Sequence, residues 1–84
     1  MIYKYKTKGV CASSIEIDYD ESTGIVNKVK FFGGCSGNTQ GVAALIKGMK
    51  ADEAISRLEG IRCGFKGTSC PDQLAKAVAE AKSR

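Results

Sequence analysis

Four cysteines, Cys11, Cys35, Cys63 and Cys70, and the absence of any histidine define the chemistry open to this 84-residue chain. A tetrahedral zinc or an iron–sulfur cluster takes four soft ligands, and without imidazole such a site here is all-thiolate. None of the four stands in a Cys-x-x-Cys knuckle, so a shared centre has to be assembled by the fold from distant segments. A thioredoxin-like dithiol mechanism lacks its motif for the same reason. Free structural or redox thiols and disulfides stay open beside metal binding. Ser-His and Cys-His pairs are excluded by composition, and Asp18, Asp20 and Glu21 read as solvent-face and turn carboxylates, so no catalytic residue is assigned.

The local settings of the cysteines favour thiolates. Cys35 lies in the glycine-rich turn Gly33-Gly34-Cys35-Ser36-Gly37-Asn38 ahead of a helix, and Cys70 is placed at the N-cap of another, where the partial positive charge of a helix start attracts an anion. Cys11 falls in a turn between two strands and Cys63 in a loop before the last helix, so each sits on a connection that can be drawn toward a common centre. Arg62 and Lys66 flank Cys63 and are expected either to offset the charge of a thiolate site or to be plain solvated loop cations; Ser36 and Asp72 are the other candidates for contacts to sulfur or to a partner. The glycine turn has no Gly-Lys-Ser/Thr ending, which argues against a phosphate loop and for close backbone approach to a metal-bound sulfur.

The elements that must position these thiols are legible from periodicity. Residues 2–8 alternate Tyr3, Tyr5 and Thr7 with Lys4, Lys6 and Lys8. Residues 13–19 set Ile15, Ile17 and Tyr19 against Glu16 and Asp18. After the turn residues 20–24, a third strand sets Ile25, Val29 and Phe31 against Lys28 and Lys30. The simplest arrangement is a three-stranded antiparallel meander whose outer face carries lysine, acid and lysine on successive strands, as favourable cross-strand pairs. Thr39–Lys47 reads as a helix with Val42, Leu45 and Ile46 inward and Gly48 as its stop. Ala51–Leu58 reads as a second, with Ile55 and Leu58 buried and Gly60 ending it. A closing helix follows Pro71, with Leu74, Ala77, Val78 and Ala81 on one face. Strands first and helices after predict an α+β fold of two layers, the three helices packed on one face of the sheet.

At this length residues 1–84 are expected to form a single domain, small enough that a metal crosslink would add materially to its stability. No stretch approaches a membrane span and no apolar leader follows a basic patch, so a cytoplasmic location without membrane association is expected; there, disulfides are disfavoured and clustered thiols point toward metal or redox chemistry. The formal charge of +4 makes only a modest case for nucleic acid or nucleotide, because the lysines alternate with acids.

The run Gly67-Thr68-Ser69-Cys70-Pro71-Asp72-Gln73-Leu74 resembles the signature of the TSCPD domain family, and Gly33-Gly34-Cys35-Ser36-Gly37-Asn38 and Cys63-Gly64 resemble that family's other cysteine motifs. The resemblance spans essentially the whole chain. It implies a small metal-binding module, with zinc the expected metal, found alone or at the C-terminal end of vitamin B12-dependent ribonucleotide reductases. It also implies that Cys11, Cys35, Cys63 and Cys70 are the ligands and that a ribonucleotide reductase or related protein is the partner. A fainter likeness links the chain to NifU/IscU-type iron–sulfur scaffolds, whose three cysteines Cys11, Cys35 and Cys70 match in order; Cys63 is additional here and the scaffold's histidine is missing. The expected function is thus a zinc-binding accessory domain associated with ribonucleoside-diphosphate reductase and deoxyribonucleotide synthesis, the alternative an iron–sulfur scaffold or electron-transfer protein. A two-layer domain of this size has no evident room for a reductase's substrate pocket, radical source and dithiol together.

Overall fold

Alternation of apolar and charged residues produces the sheet. A computed structural model describes residues 1–8, 12–33, 36–61 and 68–83, with the backbone alone for 36–38. Strands β1 (Ile2–Lys6), β2 (Ala12–Asp20) and β3 (Ile25–Gly33) form an antiparallel meander in the order β1-β2-β3. The inner face buries Ile15, Ile17 and Tyr19 from the central strand with Val26 and Val29 from β3. On the outer face Lys4 pairs in register with Glu16, and Glu16 with Lys30; Asp18 stands between Ile2 and Lys28. The lysine–acid–lysine ladder expected from the sequence is therefore present in register. Its ion pairs are loose: Lys4 Nζ lies 3.9 Å from Glu16, and the N-terminal ammonium 3.9 Å from Asp18. Exposed pairs of this kind contribute less than about 1 kcal/mol each. β1 ends at Lys6, short of the expected residue 8, because Thr7 turns its hydroxyl to the Ala12 carbonyl and the Lys8 N–H leaves the sheet for Gln73 Oε1 at 3.0 Å.

β3 corrects the predicted inward set. Asp18 pairs with Lys28 but Tyr19 with Val26, so Asn27 is an extra residue opposite the consecutive Asp18 and Tyr19. The bulge reverses the facing of everything before it: Val26 is fully buried, at 0% exposure, and Ile25, expected inside, is half-buried. A strict period of two cannot anticipate this. Val26→Ala is expected to cost about 2 kcal/mol through lost burial and an unfilled cavity, and Ile25→Ala less than about half of that. Urea unfolding of the two variants checks it; equal costs would contradict the bulge.

The β2–β3 turn is held by Asp20, whose Oδ1 accepts from the Ser22 N–H at 2.9 Å and from Ser22 Oγ at 2.7 Å, while Gly24 closes it at φ +75°. The Ser22 bonds, the hydroxyl's first, hold the Asp20 carboxyl below the usual carboxylate range. A depressed folded-state value means that this contribution is present above the unfolded value and is lost as pH falls toward the folded one. Asp20→Asn is therefore expected to flatten the decline of the melting temperature between roughly pH 5 and pH 3. Unchanged acid limbs in the two proteins would refute the assignment.

The helices cover the sheet's inner face. α1 (Ser36–Ile46) lies against β3, α3 (Cys70–Lys82) crosses β2 and β1, and α2 (Ala51–Leu58) packs on α3. α1 starts three residues before its predicted onset and stops at Gly48, which takes φ +85°. Its inward residues are Thr39, Val42, Ala43 and Ile46, at i, i+3, i+4 and i+7. Leu45, expected inside, falls off that stripe and is 77% exposed. In α2 the buried residues are Ala51 and Ala54, and Ile55 and Leu58 are only half-buried, because small residues admit close approach to α3. Leu74, Ala77, Val78 and Ala81 of α3 are fully buried, as their spacing predicted. The arrangement is α+β. Among the described residues, no helix is long and apolar enough to cross a membrane.

Candidate functional site

The segment 68–73 is built so that every residue around the Cys70 thiol carries a structural task. Ser69, at φ −151° and ψ 171°, is the N-cap of α3, and its Oγ accepts from the Asp72 N–H at 3.2 Å while donating to the Ile61 carbonyl at 2.6 Å. Cys70 is consequently the first helical residue rather than the N-cap the sequence suggested; a serine oxygen caps a helix and a thiol does so poorly. Pro71 follows in the first turn, where its missing N–H costs no hydrogen bond. Cys70 itself is half-buried, and its thiol is free among the described residues.

Asp72 is only 6% exposed. Its carboxylate accepts from the Gly60 N–H at 2.7 Å and from the Thr68 hydroxyl, with Lys76 Nζ at 3.8 Å one turn on. The end of α2 is thereby clamped to the start of α3. Gln73, also buried, spans the other way, its Nε2 donating to Thr68 Oγ1 at 3.1 Å and its Oε1 accepting from the Lys8 N–H. A buried charge persists only when its hydrogen bonds are filled, and here the partners are the backbone and side chains that set the cysteine's surroundings. The sequence names Asp72 as a contact for sulfur or partner, whereas the positioning roles of Ser69, Thr68 and Gln73 emerge from the fold. The serine-x-x-acid spacing ahead of an apolar run is the one signal that marks them.

Cys11, Cys35, Cys63, Arg62 and Lys66 lie outside the described residues, and of Ser36 only the backbone, opening α1, is described. Among the described residues no three cysteines or carboxylates form a group suited to a metal. What is described is a belt of bonds between the segments that border the cysteines. Ala12, next to Cys11, pairs with Gly33, two residues before Cys35. Thr7 donates its N–H to the Ser13 carbonyl at 3.3 Å, and Lys8 donates to Gln73, three residues past Cys70. Ile61, two residues before Cys63, is bound by Ser69. One end of each bordering segment is thus joined, directly or through one neighbour, to the next.

A second tie secures β1 to α3. Tyr3 donates its hydroxyl to Glu80 Oε1 at 2.5 Å, and burial, with the Glu80 carboxylate adding to it, pushes the neighbouring Tyr5 phenol up. These tyrosines hold the sheet's edge against the helix that carries Cys70.

The family model described as TSCPD domain matches residues 1–82 of the chain. No curated protein and no solved structure matches it.

Proposed function

The chain belongs to the TSCPD domain family, and on that footing we propose that residues 1–84 are one metal-binding accessory domain in which Cys11, Cys35, Cys63 and Cys70 supply four thiolates to a single zinc. The observation that carries this reading is the belt: the described neighbours of all four cysteines are tied to one another by Ala12–Gly33, Lys8–Gln73 and Ile61–Ser69. The donor set agrees with it, since four thiols without imidazole suit zinc, and with all four positions filled by protein such a zinc supplies a crosslink rather than catalysis. This chain's own residues would do the rest. Ser69 and Asp72 hold Cys70 at the start of α3, and Arg62 and Lys66 would offset the negative charge of the thiolates.

The domain's role is then to present a folded surface to a ribonucleotide reductase or a related protein in deoxyribonucleotide synthesis, in the cytoplasm, with no reaction of its own. The iron–sulfur alternative uses the same thiolates. Elemental analysis with a visible spectrum, on protein purified anaerobically without chelator, separates them. Colourless protein with near one zinc per chain is the expected result. Iron with visible absorbance would replace zinc by the cluster reading, and no metal with four freely titrating thiols would overturn both. Co-purification with a B12-dependent reductase subunit, lost in a zinc-free preparation, would test the partner.

A further inference from the structure

From Ile25 to Lys50 the chain holds four lysines, Lys28, Lys30, Lys47 and Lys50, and no aspartate or glutamate. The fold gathers them along one rim. Lys28 and Lys30 project from the outer face of β3, and Lys47 and Lys50 flank its start, where the Gly48 N–H bonds to the Val26 carbonyl at 2.7 Å and Lys50 bridges to Ile25. All four are exposed and none is in an ion pair with a described residue. The carboxylates facing this rim, Glu16 and Asp18 on β2, lie nearest to Lys4 and to the N-terminal ammonium, and Asp52, just past Lys50, is taken by Lys82. Phe32 continues the row of Lys28 and Lys30, 37% exposed, with Lys30 Nζ 5.2 Å from its ring centroid.

We infer that this rim of β3 binds single-stranded nucleic acid, phosphates against Lys28, Lys30, Lys47 and Lys50 and, once a phosphate draws the Lys30 ammonium off the ring it covers, a base stacked on Phe32. The charge alone would attract any polyanion. What selects a nucleic acid over an acidic peptide is the exposed ring in line with the cations, and what selects a single strand over a duplex is that only an unpaired base offers its face for stacking. Successive outward residues of a strand advance about 7 Å, so neighbouring lysines are spaced to meet successive phosphates of an extended chain. The site shares no residue with the cysteine cluster and does not depend on a metal.

Fluorescence anisotropy with labelled 20-residue oligothymidylate and oligouridylate, on the full chain across a salt series, tests it. The expected result is binding whose logarithm falls with log salt with a slope of about −2 to −3, for three or four phosphates at roughly −0.7 each. Lys28→Glu/Lys30→Glu should weaken binding more than tenfold and bring the slope about 1.4 closer to zero. Phe32→Ala should weaken it about fivefold or more at unchanged slope. The control Lys6→Gln, on the far strand and in no ion pair with a described residue, should change it less than about twofold, the rim carrying the contacts. Melting curves identify any variant that fails to fold, in which case Lys28→Gln/Lys30→Gln replaces the charge reversal. No binding at low salt, binding indifferent to the β3 lysines, or equally effective competition by polyglutamate would overturn the inference.

Discussion

Cys70→Ser is expected to lower the zinc content from the proposed one per chain to a small fraction of that and to take the melting temperature down with it. If the metal closes the loops, its binding free energy is largely folding free energy, and loss of one of four thiolates forfeits most of it. In a domain of this size each kcal/mol at the midpoint is worth about 4–8 °C, so a loss of about 3 kcal/mol appears as roughly 12–24 °C. Cys70 suits the test because its own surroundings are independent of sulfur: Ser69 caps α3, and the Asp72 and Gln73 bonds do not involve the thiol. A serine there leaves the helix start intact. Chelator should bring the wild-type protein to the variant's melting temperature and leave the variant unmoved. A variant that melts low and falls further with chelator would show that the substitution damaged the fold instead.

Asp72→Ala is expected to be the most damaging single change among the polar residues, at about 2 kcal/mol. It leaves the Gly60 N–H and the Thr68 hydroxyl without their acceptor at part-buried positions, and a stranded donor costs about 1–3 kcal/mol when fully buried and less where water reaches it. Asp72→Asn keeps the shape and one acceptor oxygen for Gly60, so it should cost no more than about half as much. Urea unfolding in the presence of chelator reads this effect on the fold alone. Zinc competition then reads the second effect: because Asp72 clamps the segment holding Cys70, the alanine variant should lose about 10–100-fold in metal affinity, the range seen for residues that orient ligands, with asparagine between. An alanine variant of full stability and affinity would remove Asp72 from the account.

The fold was legible where periodicity is strong. The alternation in residues 2–6 and 14–19, and the apolar stripe of α3, translate directly into burial because each follows an uninterrupted geometric repeat. The reading failed where a local irregularity shifts that repeat or where size outweighs hydrophobicity. Asn27, as a bulge, turned Val26 inward in place of Ile25. In α1 the inward stripe runs through Thr39 and Ala43, which leaves the more hydrophobic Leu45 in solvent. In α2 two alanines, not Ile55 and Leu58, make the tightest contact.

The candidate site was legible in kind more than in construction. Proline and serine around Cys70 announce a helix start, but which residue caps it depends on whose oxygen reaches the free N–H, and that is Ser69. Asp72, two residues past Cys70 in the sequence, reads as a contact for sulfur or for a partner. That it is buried and bound to Gly60, twelve positions away, is a tertiary fact with no local trace. Gln73 likewise acts across the molecule, on Lys8.

The account's central claim is that four thiolates share one metal, and zinc-edge X-ray absorption on the chelator-free protein measures it most directly. Four sulfur neighbours at about 2.3 Å, falling to three in Cys70→Ser protein reloaded with zinc, is the predicted result. A shell dominated by nitrogen or oxygen neighbours at about 2.0–2.1 Å, or one that Cys70→Ser leaves unchanged, would contradict it.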